Sequence, residues 1–473
     1  MDNALEAFRS LLGPAGYRDD AGELSPWLTD WRGRYHGKAA ALLSPATTGE
    51  VAATVRLAAE HGVALVPQGG NSGMVAGATP DSSGKQVLLS LRRMNTIVSI
   101  DADSGEAVVE AGVILQNFHE AVAAHGRRFP LTLGGKGSAT IGGLVSTNAG
   151  GTQVLRHGTM RGLVLGLEAV LPDGSIFDGL APLKKDNRGY DLKQLLIGAE
   201  GTIGIVTKAV LRTVPALIDR CVVWAGVDSP AAAYKLLQFV SSRAHAALEG
   251  FEILPSHALD NVVRHIPGTR APLTGQHRWH ALIELVQDEP GQSAPADLAQ
   301  LLLAEAIEAG LVEDATLSAS EAQAEAFWKI RDSIAEAERA EGPASQHDIS
   351  VPVADMARFI DSETPEIEAR FPGTKVVAFG HLGDGNIHYH VKAPKGMEAA
   401  RWYAEFASPV SAHVYDRVEA YKGSLSAEHG IGMAKLDEFA RLADPARLAA
   451  LRAIKTAFDP KGIMNPGKLV PLA

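Results

Sequence analysis

Cysteine is almost absent from this chain, since Cys221 is the only one among its 473 residues. A single thiol excludes an intrachain disulfide, and it excludes an iron–sulfur cluster held by four cysteines of this chain. Any redox chemistry must therefore come from an organic cofactor or from a metal with other ligands.

Long runs of one residue type are also missing. No stretch approaches the ~18 uninterrupted apolar residues typical of a membrane-spanning helix, and the N-terminus lacks the basic and apolar regions of a secretory leader. No lysine or arginine run stands out, and 44 basic residues against 55 acidic ones give a net charge of -11. We expect a soluble cytoplasmic protein with no transmembrane segment and no nucleic-acid partner.

Apolar residues are plentiful by contrast. Hydrophobic residues make up 46% of the chain and charged residues 21%, which is typical of a globular protein. Because 473 residues exceed what one simple core holds, two or three domains are expected.

Histidines and a carboxylate gather around glycine-marked turns in the C-terminal half. Residues 379–391 read FGHLGDGNIHYHV, and residues 426–432 read SAEHGIG. A catalytic zinc ion takes imidazole nitrogen and carboxylate oxygen as ligands and keeps one position for substrate. His381, His388 and Glu428 are therefore candidate metal ligands, although manganese, cobalt and iron accept similar sets.

The local pattern predicts how these side chains are arranged. Asn386 to Val391 has the composition of a strand, so His388 and His390 share a face. The turn at 383–385 can direct His381 back toward them. The alternative is that these are ordinary histidines satisfied by hydrogen bonds. His429 directly follows Glu428, where a neutral imidazole could act as a general base.

A glycine-rich stretch follows a predicted strand near the N-terminus. Thr48 is expected to cap a helix, Val63 to Val66 to form the next strand, and residues 67–77 then read PQGGNSGMVAG. Four glycines together with Asn71 and Ser72 expose backbone amides in the concave arrangement that binds a pyrophosphate. No complete Gly-x-Gly-x-x-Gly opens a helix, so a nicotinamide cofactor is disfavoured.

Two further small-residue stretches occupy residues 135–151 and 197–207. Between them, Leu163 to Leu171 and the Pro-Asp-Gly turn at 172–174 predict a hairpin. One such stretch could indicate only a crowded sheet. Three of them in one half of the chain favour a flat cofactor that approaches the backbone closely.

Seven segments carry a resemblance to a known family, and they occur in order over nearly the whole chain: residues 67–77, 137–151, 186–192, 198–207, 379–391, 426–432 and 458–467. Together they resemble the FAD-dependent D-2-hydroxyacid dehydrogenases. That family includes the D-lactate, D-2-hydroxyglutarate and glycolate oxidoreductases of the vanillyl-alcohol oxidase flavoprotein superfamily.

The resemblance implies an α+β fold with three parts. Residues 1–215 would form a PCMH-type FAD-binding domain of two α+β subdomains, residues 216–420 an α+β substrate-binding or cap domain that carries metal ligands, and residues 421–473 a helical segment completing the active site and the FAD domain. It also implies a homodimer. An external electron acceptor, either an electron-transfer flavoprotein or a quinone, is expected because no second redox centre is visible in this chain. Noncovalent FAD is expected, since residues 67–77 contain no histidine.

Site residues follow from matching the family's motifs. The matched FAD-binding residues are Pro67, Gly69, Gly70, Asn71, Ser72, Gly73, Met74, Gly137, Ser138, Ile141, Gly142, Asn148, Gly150, Glu200, Gly204, Ile205 and Asn465. His381, His388 and Glu428 match the family's metal site, which holds zinc by family habit, and His429 matches its proposed base.

Arg331 matches the family's substrate arginine. Its planar guanidinium is suited to the carboxylate of a 2-hydroxy acid. Considered without the resemblance, Arg331 would be an ordinary charge on an amphipathic helix.

Three departures from the D-2-hydroxyglutarate enzymes concern the far end of the substrate. Ala335 replaces a threonine, Gln346 replaces a lysine, and His390 replaces an asparagine. Gln346 and His390 are thus candidate substrate-binding residues, and His390 could instead be a fourth ligand or a second acid–base group. Loss of a lysine and a hydroxyl predicts a D-2-hydroxy acid with a neutral, apolar or aromatic far end, or a different substrate pose.

The leading interpretation is a D-2-hydroxyacid dehydrogenase that passes a hydride to flavin N5 and its electrons to a separate acceptor. Four alternatives remain. One is an oxidase that uses oxygen, and another is a D-2-hydroxyglutarate dehydrogenase with an altered pose. The others are a zinc hydrolase without flavin and a noncatalytic subunit that only carries flavin.

Overall fold

The computed structural model describes residues 1–472, and they form two compact units. The first unit contains Met1–Gly151, His157–Ala216 and the chain from Glu428 onward. The second contains Thr152–Arg156 and Leu217–Ala427.

The first 216 residues alternate helices and short strands. In chain order these are α1 (Asp2–Gly16), β1 (Tyr17–Arg18), α2 (Ala21–Leu24), β2 (Ala41–Leu43), α3 (Thr48–His61), β3 (Leu65–Gln68), β4 (Val87–Ser90), β5 (Ile97–Asp101), β6 (Glu106–Glu110), α4 (Leu115–Ala123), β7 (Arg127–Arg128), α5 (Ile141–Thr147), α6 (Val154–His157), α7 (Met160–Leu163), β8 (Val164–Val170), β9 (Ile176–Gly179), α8 (Leu192–Leu196), β10 (Ile205–Arg212) and β11 (Val214–Pro215).

Residues 217–427 contain longer strands. The elements are β12 (Asp219–Val227), α9 (Pro230–Ala244), β13 (Leu248–Pro255), α10 (Ser256–His265), β14 (Trp279–Gln287), α11 (Pro295–Glu308), β15 (Asp314–Leu317), α12 (Glu321–Asp332), α13 (Ile334–Ala340), β16 (Ala344–Ser350), α14 (Val353–Arg370), β17 (Lys375–His381), β18 (Asn386–Lys392), α15 (Ala399–Arg401) and α16 (Ala407–Ala420). The last part of the chain adds α17 (Leu436–Leu442) and α18 (Pro445–Phe458).

Helix α3 shows how local sequence sets element boundaries. Its N-cap is Thr47, whose hydroxyl accepts the N–H of Glu50, and Thr48 is the first helical residue rather than the predicted cap. Gly62 ends the helix in the left-handed conformation at φ 64°. The following strand begins at Leu65, two residues later than predicted.

The first unit has two main sheets, each with its own core. Strands β1-β2-β4-β3 form a mixed sheet whose core includes Phe8, Val55 and Leu89. Strands β5-β6-β10-β8-β9 form an antiparallel sheet whose core includes Phe118 and Leu167. Strands β8 and β9 pair as the predicted hairpin. The predicted pair of α+β subdomains is therefore confirmed.

The second unit is built on one seven-stranded antiparallel sheet of order β15-β12-β14-β13-β17-β18-β16. Every residue of β13 is buried, as are nearly all residues of β12, β14, β17 and β18. The core includes Trp224, Phe327 and Phe379. A polar side chain on a buried central strand needs a hydrogen-bond or charge partner, because burial without one is costly.

Within residues 1–472, none of the helices has the length and apolar character needed to cross a membrane.

Candidate active site

The hairpin of β17 and β18 places three histidines on one part of the second unit's sheet. Phe379 of β17 lies opposite His388 of β18 in the antiparallel register. The ring centres of His381 and His388 are 5.5 Å apart, and those of His388 and His390 are 6.5 Å apart. Alternation along β18 puts the latter two on the same face.

The return of the chain depends on a glycine in the hairpin turn. Gly385 has φ 83°, and a Cβ at this position would lie 2.2 Å from the backbone oxygen of Val351. A residue with a side chain would have to shift the turn or the neighbouring backbone. The turn therefore keeps His381, the last residue of β17, next to His388.

Glu252 is a buried carboxylate that sequence reasoning missed. It lies opposite His381 in the register between β13 and β17 and is 1% exposed. One carboxylate oxygen contacts His381 Nδ1, and the other accepts a hydrogen bond from Arg331 Nε at 2.8 Å. In the neutral imidazole that a metal requires, this contact would place the proton on Nδ1 and leave the lone pair on Nε2.

Electrostatics keep Glu252 ionised. Burial alone would raise its pKa, but the charges of Arg331 and His381 and their hydrogen bonds outweigh burial and hold the pKa far below its usual range. Two acidic residues, Glu249 and Glu252, inside the otherwise apolar strand 248–255 were the signal in the sequence. The partner of Glu252 could not be read from the sequence, because His381 lies 129 residues later.

Arg331 lies near the end of α12, as predicted from the helical run around it. Its side chain is 12% exposed. Its Nη2 is 3.3 Å from His381 Nε2, and its guanidinium carbon is 5.7 Å from the centre of the Phe379 ring. Glu252 thus fixes this cation beside the histidine pair.

His388 is in an environment that favours the neutral imidazole. Burial lowers its pKa well below 6.5, and the charges of Arg331 and His381 lower it further. Asp348 lies opposite His388 on β16, with its Oδ1 4.0 Å from His388 Nδ1. Asn386 donates a hydrogen bond of 2.9 Å to the same oxygen. A neutral imidazole is the form that binds a metal.

His390 pairs with a second carboxylate that the sequence did not single out. Its Nδ1 contacts Glu338 Oε2, and both side chains are buried. Gln346 lies opposite His390 on β16. The ammonium of Lys392 donates to the backbone oxygens of Glu338 and Gly342 at 2.6 and 2.9 Å.

Glu428 and His429 belong to the first unit, and the residue before them belongs to the second. The backbone N–H of Ala427 donates to the backbone oxygen of Asp348 at 3.3 Å. Because Asp348 is the register partner of His388, the chain leaves the second unit from the strand beside that histidine.

Within the first unit, Glu200 anchors the segment that follows His429. Its two carboxylate oxygens accept the backbone N–H groups of Ile431 and Gly432, each at 2.8 Å. Burial raises the pKa of Glu200 to about 7, while these N–H groups and the charges of Lys435 and Lys468 act in the opposite direction. Both oxygens of this predicted cofactor residue are thus bonded to the loop.

The predicted FAD-binding segments converge within the first unit. Gly70 packs so tightly that a Cβ would lie 1.7 Å from the backbone oxygen of Ser138, which joins the 67–77 and 135–151 stretches. Asn465 Nδ2 donates to the backbone oxygens of Gly77 and Glu200 at 3.0 and 2.7 Å. Such close backbone packing fits the backbone-mediated binding expected for FAD.

Several predicted cofactor residues have side chains that are engaged within the first unit. Ile141 and Ile205 are buried in the two cores of the first unit, so their side chains are already occupied by packing. Asn148 ends α5 at φ 50°, and its Oδ1 accepts the N–H of Arg161 at 2.9 Å. The remaining predicted cofactor residues also lie in the first unit: Pro67, Gly69, Asn71, Ser72, Gly73, Met74, Gly137, Gly142, Gly150 and Gly204.

Two family models match this chain. The FAD binding domain matches residues 39–179, and the C-terminal domain of FAD linked oxidases matches residues 218–469. The mitochondrial D-2-hydroxyglutarate dehydrogenase of Arabidopsis thaliana is 36% identical over 465 residues, covering 98% of this chain and 81% of that protein. A putative mitochondrial D-lactate dehydrogenase of Schizosaccharomyces pombe is 33% identical over 485 residues, covering 98% and 90%.

A solved structure shares the fold. The crystal structure of p-cresol methylhydroxylase with substrate bound superposes with a TM-score of 0.78, at 16% identity, over 99% of this chain and 96% of that one. At this identity the likeness concerns the fold alone.

Proposed function

Because this chain belongs to the FAD-linked D-2-hydroxyacid dehydrogenases and is an oxidoreductase, we propose that it oxidises a D-2-hydroxy acid to the 2-oxo acid with the help of a divalent metal. The observation that carries the proposal is the Glu252–His381–His388 arrangement. It supplies two imidazoles in which one is oriented by a buried carboxylate, which is the usual support for a metal ligand.

Each residue of the proposed site has one task. When bound, FAD would supply the hydride acceptor, and a divalent metal, zinc by family habit, would supply a Lewis acid for the substrate. His381 and His388 would hold this metal, and the family's motif adds Glu428 as the third ligand. His429 takes the proton of the substrate hydroxyl. Arg331 holds the substrate carboxylate, and Glu252 fixes both Arg331 and His381 in place.

Glu428 and His429 are included because they match the family's motif and because they follow Ala427 along the chain. Gln346 and His390 are proposed to meet the far end of the substrate, since they lie opposite each other next to His388. FAD is proposed to be noncovalent, because residues 67–77 contain no histidine.

Electrons are proposed to pass to a separate acceptor, either an electron-transfer flavoprotein or a quinone. Support comes from the single cysteine, which excludes a four-cysteine cluster in this chain. Oxygen use is the alternative, and hydrogen peroxide formation on turnover separates the two. A homodimer and a cytoplasmic location stay predictions, and the two relatives described above are named mitochondrial.

The test is the visible spectrum of the purified protein, recorded anaerobically with D- and L-2-hydroxy acids and with or without a chelator. Flavin absorbance near ~450 nm should bleach with D-acids and should fail to bleach after metal removal. A protein that binds no FAD on reconstitution would contradict the proposal. Bleaching that survives complete metal removal would remove the metal from it.

A further inference from the structure

The polar face of the second unit's sheet continues beyond the two proposed metal histidines. His390 is the next side chain on the same face of β18, and its ring centre is 6.5 Å from that of His388. This distance corresponds to roughly four or five carbon–carbon bonds of an extended chain. With C2 of a 2-hydroxy acid beside His388, a donor atom carried on the fifth or sixth carbon is four or five bonds away and therefore reaches His390.

The group at that distance is a buried acceptor. Glu338 is 1% exposed and bonds His390 through Oε2, while its other oxygen, Oε1, is buried with no hydrogen-bond partner among the described residues. The nearby ammonium of Lys392 is bonded to the backbone oxygens of Glu338 and Gly342. A buried acceptor without a donor is costly unless a ligand supplies one.

The cation beside this acceptor, Lys392, is already engaged by two backbone oxygens, and the other neighbouring side chains are uncharged. Gln346, opposite His390, is a neutral amide. Ala335 lies three residues before Glu338 on α13, so the two share one helix face, and Ala335 has no hydroxyl to donate. A distal carboxylate would therefore meet a carboxylate, and like charges in a buried site repel each other.

We propose that the Glu338–His390 pair determines substrate specificity by binding an uncharged hydrogen-bond donor, a hydroxyl or a carboxamide nitrogen, on the fifth or sixth carbon of a D-2-hydroxy acid, and that it disfavours dicarboxylates. The proposal rests on the proposed function, since it places C2 of the substrate beside His388. The donor satisfies Glu338 Oε1, and His390 holds Glu338 in position. A purely structural role, in which the pair only ties α13 to β18, is the competing account.

The experiment compares five-carbon D-2-hydroxy acids that differ only at C5, with the FAD- and metal-loaded enzyme. The acids are 2-hydroxyglutarate, its 5-carboxamide, 2,5-dihydroxypentanoate and 2-hydroxypentanoate. We expect kcat/KM for the carboxamide or the 5-hydroxy acid to exceed that of 2-hydroxyglutarate at least tenfold, with most of the difference in KM. The corresponding 2-oxo acids should raise Tm in the same order, which provides a readout independent of turnover.

Variants then separate specificity from structure. Glu338→Gln should reduce the preference for the carboxamide over 2-hydroxyglutarate at least tenfold, and it should lower kcat/KM for the carboxamide more than for 2-hydroxypentanoate. Glu336→Gln is the matched control, because Glu336 is on the same helix but exposed. If the pair has only a structural role, Glu338→Gln should lower kcat/KM by the same factor for all four acids.

The results of these experiments test the specificity proposal separately from the proposed function. The specificity proposal is wrong if 2-hydroxyglutarate has the highest kcat/KM of the four acids with the unmodified enzyme. It is also wrong if Glu338→Gln lowers kcat/KM for all four acids by the same factor. In both cases the proposed function stands. If no 2-hydroxy acid bleaches the flavin, the proposed function itself fails.

Discussion

Glu252 connects the proposed metal ligand to the proposed substrate clamp through a single carboxylate. Both of its oxygens are engaged, one with His381 and one with Arg331. Loss of such a partner typically lowers metal affinity or activity by about 10- to 100-fold. Because the FAD segments lie in the other unit, the effects on the two cofactors should be separable.

We therefore expect Glu252→Gln to lower bound metal and substrate-dependent bleaching at least tenfold while flavin content stays unchanged. Metal is measured by mass spectrometry and flavin by absorbance. Glu249→Gln is the matched control, since Glu249 lies on the same strand, is equally buried and pairs with Arg156 at 3.1 Å. Equal metal loss in both variants would show that the effect is only a general loss of stability.

The raised pKa of Glu200 predicts how the stability of the fold changes with pH. Its pKa is raised from 4.5 to about 7 in the folded chain, so the folded state binds a proton more tightly than the unfolded state does. Stability from this proton is fully present below pH 4.5 and is lost as pH rises through about 7. This difference between the folded and unfolded pKa of Glu200 corresponds to about 3 kcal/mol of folding stability.

Glu200→Gln should remove this part of the pH dependence. Between pH 4.5 and 8, Tm of the unmodified protein should fall relative to that of the variant. The measurement is thermal unfolding of both proteins in matched buffers. A Tm difference that is constant across this range would mean that Glu200 ionises normally despite its burial.

At the scale of elements, the turn between β17 and β18 decides whether the histidines meet. Gly385 and Gly396 share φ 83°, but only Gly385 faces close backbone, since nothing lies within 4 Å of a Cβ at Gly396. Both positions impose strain on alanine, whereas only one imposes a clash.

We expect Gly396→Ala to cost about 1 kcal/mol of stability and to leave bleaching intact. Gly385→Ala should cost more and should also lower bound metal, because the clash with Val351 displaces the turn after His381. Thermal unfolding and metal content measure the two effects. Retention of full metal binding by Gly385→Ala would show that the turn tolerates displacement without moving the histidine.

For the whole molecule, the division into two units predicts that flavin binding does not depend on the two proposed metal-binding histidines. All predicted FAD residues are in the first unit, and His381 and His388 are in the second. His388→Ala should therefore keep its flavin spectrum and lose substrate bleaching, and added zinc or manganese should not restore it. Added metal should restore the chelated unmodified enzyme. Loss of flavin from His388→Ala would show that the units depend on each other.

Local pattern was enough to predict much of this molecule. Alternation along residues 386–391 put His388 and His390 on one face, and the glycines at 383 and 385 predicted the return of His381. The glycine-rich stretches predicted a flat cofactor because tight backbone approach needs small residues at those positions, and the family resemblance identified that cofactor as FAD. Each of these features depends on neighbours within a few residues along the chain.

Glu252 and Glu338 depend on tertiary structure. Glu252 meets His381 because β13 pairs with β17, and Glu338 meets His390 because α13 packs near β18, across 129 and 52 residues. No local pattern encodes which strands become neighbours, since the pairing is decided by burial of the whole sheet. The ligand types and the turns were therefore readable from the sequence, whereas the carboxylates that orient the histidines emerged only when distant strands and helices packed together.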